Sequence, residues 1–253
     1  MEAYLIWFDQ FIQDFLHGSD EDNANIRLKI DHSLRVLDEA KRITAYLNLD
    51  PRRAELAHIS ALLHDIGRLI QYVRYKTFND RRSENHARLG VDTLCRTRIL
   101  ADCPPEDRRL ILGAISLHNR FSLPERIDQG LGLLARILRD ADKLDIVRVL
   151  MPHFTGDVPR NGVVTLGLKT DPAACTQSIL DDALSGRLGK YEEMAWVNDF
   201  KLLVCTWIYD FNFKISRETI LERKYLDQLF GSLPKEAVFE LLEQRLRNAL
   251  SKG

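Results

Sequence analysis

The residues most able to do chemistry in this chain are histidines and aspartates that recur on otherwise apolar helical faces. His32 shares a face with Leu28 and Val36, and His86 lies with Leu89, Gly90 and Leu94. His118 ends a stripe of Ile111, Ala114 and Ile115, and Asp142 and Asp145 follow Ala135 and Leu138 at the same period. His64 and Asp65 are neighbours at the end of the apolar run Ala61-Leu62-Leu63. A polar group buried without a partner costs about 1–3 kcal/mol, more if charged. One such histidine is ordinarily a hydrogen-bonded core residue. Several on separate helices can satisfy one another by converging on a metal ion. Imidazole and carboxylate donors without thiolate suit iron, manganese, zinc or nickel, and such a set leaves coordination positions open for water and substrate.

These side chains must be carried by helices. A helical period runs through residues 23–47, and Asp50-Pro51 starts the next helix, with Pro51 suited to its first turn. That helix passes through Leu56, Ile59, Leu62 and Leu63, and Gly67 is a natural stop. Adjacent side chains on a helix diverge by about 100°, yet near its end His64 and Asp65 can both reach one ion. Residues 68–83 mix aromatic and basic side chains without clean periodicity and read as a loop or short irregular segment able to lie over a site. Helices follow over about 84–100, from Cys103-Pro104-Pro105 to about His118, and over about 130–151, with a loop at 119–129. After Met151 prolines and glycines surround Val163-Val164-Thr165-Leu166, which reads as a short strand or an extended excursion. Helices are expected at about 173–185, 192–210 and 234–250. The fold class is therefore all-α, with a metal-site core over 1–150 and a helical C-terminal extension over 151–253 packed on it.

The motifs themselves carry a resemblance. Leu-Leu-His-Asp-Ile-Gly-Arg at 62–68 resembles the signature of the HD-domain metal-dependent phosphohydrolases, in which His-Asp is usually followed by Ile-Gly-Lys. Asp31-His32-Ser33-Leu34 resembles the family's first-ligand helix. Asn85-His86-Ala87-Arg88 and Ser116-Leu117-His118-Asn119 resemble the later histidine motifs of the two-metal, HDIG-type branch. Arg139-Asp140-Ala141-Asp142-Lys143 is similar to the terminal aspartate motif. The resemblance covers about residues 26–150, in family order. It implies an all-α HD-domain bundle in which His32, His64, Asp65 and Asp142 hold one divalent transition-metal ion. Asp65 would bridge to a second ion held by His86 and His118.

Two such ions, about 3.5–4 Å apart, would lower the pKa of a water and neutralise charge on a phosphate ester. Between Arg68 and Arg98 eight basic residues face three acidic ones, a local surplus that suits an anionic substrate. Arg68 and Lys143 adjoin ligand motifs and are the expected phosphate contacts. Tyr72, Tyr75 and Phe78 are candidates for stacking on a base or for core packing. Asp145 is expected to orient a ligand histidine or to pair with an arginine. His17, His58 and His153 are left to structural or surface roles.

The implied activity is hydrolysis of a phosphate ester, phosphodiester or pyrophosphate in a small phosphorylated substrate, with nucleotides among the candidates. A diiron oxygenase of the same superfamily and a non-catalytic sensor or adaptor are the alternatives. The cyclic-dinucleotide phosphodiesterases of the HD-GYP branch carry a further His and a Gly-Tyr-Pro triplet. The corresponding stretch here is His118-Asn119-Arg120-Phe121-Ser122-Leu123-Pro124, so that specificity is not expected.

Composition sets outer bounds. A formal net charge of −1 argues against a general nucleic-acid-binding surface. No apolar stretch approaches the roughly 20 residues a bilayer span needs, and Glu2, Asp9 and Asp14 interrupt the N-terminal apolar pattern. Four cysteines without a C-x-x-C pair fit reduced thiols and a cytoplasmic location. Homo-oligomerisation is left open, with Trp196, Trp207 and Phe211 as candidates for a dimer interface or for core closure.

Overall fold

Several of the helices that carry the site start at caps written into the sequence. In the computed structural model, which describes residues 1–251, α1 (Glu2–Gln13) is followed by α2 (Asp20–Tyr46). Ser19 caps α2 by accepting the Asp22 N–H, and Asp20, Glu21 and Asp22 place negative charge at its positive end. Asp50 caps α3 (Pro51–Leu63) through the Arg53 N–H, with Pro51 in the first turn. The helices α4 (Ile66–Tyr75), α5 (His86–Thr97), α6 (Pro105–Leu117) and α7 (Gln129–Thr155) complete this part of the chain. Asn85 caps α5 through the Arg88 N–H, which fixes His86 as that helix's first residue.

The chain divides into two units, Met1–Asp145 and the residues from Ile146 onward, with the division inside α7. In the first unit α2 packs on α3 and α4, α3 on α6, and α4 on α5. Its core includes Ile26, Ile43, Leu62, Leu63, Ile111, Ile115 and Leu138, all essentially without solvent exposure. Burying each large aliphatic side chain contributes about 1.5–3 kcal/mol.

Two local expectations for this unit are corrected. Residues 66–75 form a helix rather than a loop, burying Ile66, Leu69, Gln71 and Tyr72. The irregular segment is only 76–85, with one 3₁₀ turn at Asp80–Arg82. Gly67 does not stop a helix; it lies in the first turn of α4. A Cβ there would sit 2.0 Å from the His86 carbonyl oxygen and 2.6 Å from the Gly90 nitrogen. Gly67 is thus required by the close approach of α4 to α5. The actual break comes earlier, where Asp65 adopts φ −105° and ψ 12° between α3 and α4.

In the second unit α8 (Gln177–Leu184) packs on α9 (Val197–Thr206). The helices α10 (Lys214–Glu222), α11 (Tyr225–Gly231) and α12 (Ala237–Ser251) follow, the first two unforeseen. Neither the short strand nor the extended excursion expected at 163–166 forms; residues 162–167 form successive turns, and no strand occurs among the described residues. The Asn161 side chain accepts the N–H groups of Val163 and Val164, and this local bonding outweighs their β preference. An isolated bridge between Lys169 and Trp196 is the only sheet-like pairing among the described residues. Trp207 and Phe211 are buried inside this unit, so they close its core. The protein is all-α, and no helix among the described residues is long and apolar enough to cross a membrane.

Candidate metal centre

Every residue expected to bind metal lies within Met1–Asp145, and the six come from five different places in the fold. His32 is on the buried face of α2, and His64 and Asp65 occupy the break between α3 and α4. His86 opens α5, His118 closes α6, and Asp142 lies on α7. All are buried except Asp142, which is partly exposed. The break is what frees Asp65: it stands at the N-cap of α4, yet its carboxylate makes no capping hydrogen bond.

The four imidazoles are held alike at Nδ1. His64 Nδ1 lies 2.7 Å from the Ala61 carbonyl oxygen, and His118 Nδ1 lies 2.6 Å from that of Ile115. His32 Nδ1 lies 2.7 Å from Asp145 Oδ2, and His86 Nδ1 lies 2.8 Å from Asp80 Oδ2. Carbonyls and carboxylates only accept, so Nδ1 carries the hydrogen in all four rings. A neutral ring then presents a bare lone pair at Nε2.

These Nε2 atoms converge on Asp65, two on each side. His32 and His64 Nε2 lie 3.6 and 3.8 Å from its Oδ2, and His86 and His118 Nε2 lie 3.5 and 3.8 Å from its Oδ1. Asp142 Oδ1 stands 3.0 Å from His32 Nε2 and 3.5 Å from His64 Nε2. Both of those nitrogens are buried without a hydrogen bond. His86 Nε2 and His118 Nε2 are 2.9 Å apart, two acceptors face to face. Lone pairs and carboxylate oxygens crowded this way need positive charge between them. Two groups, His32–His64–Asp142 and His64–Asp65–His118, bring one donor atom per residue within 4.8 Å of each other. The donor set fits divalent transition-metal ions.

Electrostatics agree with that need. Burial works to raise Asp65, but the Lys29 ammonium, His64, Arg68 and His86 together hold it well below the usual carboxylate range. Lys29 Nζ reaches 2.9 Å from Asp65 Oδ2. Burial likewise opposes ionisation of Asp142, and contacts with His32 and His64 overcome it. His118 is pushed down to about 3 by burial and the neighbouring His86 and His64 rings. His86 is lowered by burial and by Arg68. His64 goes the other way: burial lowers its pKa, but the Asp65 and Asp142 carboxylates outweigh it and raise it. Lys143 is pushed down to about 7 by burial and by Arg139.

The structure therefore gathers His32, His64, Asp65, His86, His118 and Asp142 in one cluster. Arg68 turns inward: its Nη1 meets the Phe78 carbonyl, Gln71 Oε1 and Asp80 Oδ1, and its Nε lies 3.6 Å from Asp65 Oδ1. Asp145 does both things expected of it, holding His32 and accepting Arg35 on two oxygens. Tyr72 and Phe78 are buried against each other, with ring centroids 5.0 Å apart, and Tyr72 Oη accepts from Asn25. His58 Nε2 pairs with Thr44 Oγ1.

Reading the sequence missed Lys29, Arg35 and Asp80. The first two stand three residues either side of His32 on α2, so helical spacing was enough to find them. Asp80 lies in the irregular segment, where no periodicity marks it.

Residues 30–146 match the family model of the HD domain. The match supports placing this segment in the HD superfamily. It opens two residues before His32 and closes one after Asp145, so the matched segment contains all six clustered residues. Lys29 falls just outside it. No curated protein and no solved structure matches the chain.

Proposed function

We propose that the chain is a metal-dependent phosphohydrolase acting on a phosphate ester, phosphodiester or pyrophosphate of a small metabolite, nucleotides included. The observation that carries this reading is the division of Asp65, with one oxygen facing His32 and His64 and the other facing His86 and His118. In it His32, His64, Asp65 and Asp142 would hold one ion, and Asp65, His86 and His118 would hold a second. Bound divalent ions would supply a water of lowered pKa and positive charge opposite the phosphoryl oxygens.

The chain's own residues prepare that chemistry. The Nδ1 bonds keep all four rings in the tautomer that presents Nε2, without reorganisation during turnover. Lys29 holds Asp65 ionised, and Arg68 fixes the segment at 78–80 against it. Lys143, beside Asp142 and lowered to about 7, is the residue we assign to the substrate phosphate. Burial of the cluster limits bulk water and strengthens its electrostatics.

The test is a chelator-stripped protein reloaded separately with Mn2+, Fe2+, Ni2+ or Zn2+ and offered phosphomonoesters, phosphodiesters and nucleotides. Phosphate or alcohol release that depends on metal and disappears in Asp65→Ala supports the reading. Oxygen uptake by the iron form without phosphate release moves it to a diiron oxygenase. No metal retention under any condition leaves a helical binding protein.

A further inference from the structure

The two sides of the cluster are supported differently. On the His32 side the supporting carboxylate is Asp145, on the long helix α7. Its side chain is 1% exposed, and Arg35 contacts both of its oxygens. The other ring on that side, His64, is fully buried and locked to a helical carbonyl. On the His86 side the supporting carboxylate is Asp80, which lies on no α-helix. It occupies the 3₁₀ turn in the segment 76–85, and its side chain is 27% exposed.

Asp80 is also where that segment is tied together. Its Oδ1 is met by Arg68 Nη1 at 2.9 Å and Gln71 Nε2 at 2.8 Å, and its Oδ2 by Asn119 Nδ2 at 3.1 Å. His86 Nδ1 reaches both oxygens. These donors come from α4, α5 and the residue after His118, so one side chain joins every element that carries the His86–His118 pair. Gln71, with no solvent exposure, additionally reaches Ser83 Oγ and the Glu84 carbonyl, fastening the turn that presents Asp80.

Resting on the two-ion reading above, we propose that Asp80 is the positioning residue for the ion position at His86 and His118, and that this position is the weaker and more exchangeable of the two. It has fewer donors of its own, since Asp142 serves only the other side. Its supporting carboxylate sits on a partly solvated turn rather than a buried helix. Removing a carboxylate that orients a ligand histidine weakens metal binding by about 10–100-fold. Here that loss falls on one position, because nothing connects Asp80 to His32, His64 or Asp142 directly.

The experiment is a calorimetric titration of chelator-stripped full-length protein with Mn2+, alongside electron paramagnetic resonance at matched loading. Wild type is expected to take a tighter and a weaker equivalent and to show an exchange-coupled pair when filled. In Asp80→Ala the weaker equivalent loosens by about 10–100-fold, the tighter one stays within about threefold, and isolated-ion signal replaces the coupled one. Asp80→Asn keeps an acceptor for His86 but turns an amide donor toward Arg68, Gln71 or Asn119, so its loss is intermediate. If Asp80→Ala does not fold, the same one-sided loss in Asp80→Asn carries the test. Equal weakening of both equivalents, or no change in either variant, overturns the proposal. A wild type that binds no Mn2+, or one equivalent only, overturns the two-ion reading before any variant is compared.

Discussion

Asp65 and Asp199 are both buried carboxylates on helix-starting residues, one in each unit, and they are used in opposite ways. Asp199 accepts the Thr176 N–H on Oδ1, and the Thr176 hydroxyl, Ala195 N–H and Trp196 N–H on Oδ2. Its hydrogen-bonding capacity is filled by the backbone it organises. Asp65 receives one ammonium, from Lys29, has the Arg68 guanidinium 3.6 Å away, and otherwise faces imidazole nitrogens that are themselves acceptors. The difference separates a scaffold carboxylate from a ligand. Burial and type are the same in both; whether the surrounding atoms donate or accept decides the role.

Substitutions at these two residues should give crossed results. Asp65→Ala should abolish retention of both ions and lower metal-dependent hydrolysis by about a thousandfold or more, while far-ultraviolet circular dichroism stays helical. Elemental analysis beside an activity assay checks this. Asp199→Ala should leave metal content unchanged and destabilise the second unit by about 2–4 kcal/mol, since several buried donors lose their acceptor. Denaturant titration followed by tryptophan fluorescence reads it, because Trp196 and Trp207 both lie there. Loss of metal in Asp199→Ala, or global unfolding in Asp65→Ala, would break the contrast.

Gly67→Ala asks whether scaffold geometry alone can damage the ligand set. The added methyl meets the His86 backbone, so α4 and α5 must separate. A stability loss of about 1–3 kcal/mol is expected, together with weaker metal binding at the His86 side. Full metal affinity at reduced stability would show that the site tolerates the shift.

The smallest effect concerns His58, a histidine of the same unit that works as scaffold. Burial lowers its pKa, with Lys41 assisting. As pH falls through about 6.5 the unfolded chain takes up the proton first. His58 therefore adds stability above that pH and withdraws it below. His58→Gln should flatten the stability curve below about pH 6.5, by less than about 0.5 kcal/mol because the ring is half-solvated. An unchanged slope would show that other groups govern acid sensitivity.

Much of the first unit was legible because helical spacing and capping are local. Asp50-Pro51 marks the start of α3, and the apolar stripes reveal which faces turn inward. The irregular parts resisted for an equally local reason. At 66–75 an amphipathic helix was hidden by Arg, Tyr and Gln, because Gln71 and Tyr72 are buried through hydrogen bonds rather than by hydrophobicity. At 163–166 the Asn161 side chain set turns that β-branched residues do not advertise.

For the cluster, residue type and order were enough to nominate His32, His64, Asp65, His86, His118 and Asp142, since a polar group on an apolar stripe requires a partner wherever the chain takes it. Which partner is a tertiary matter. Only the packed helices decide that Asp65 divides its two oxygens between two histidine pairs, that Arg68 faces Asp80, and that Lys29 reaches Asp65. The physical reason is range: helical periodicity is set by neighbours three and four residues away. A hydrogen-bond partner 36 or 113 residues distant in sequence is set by how whole helices pack.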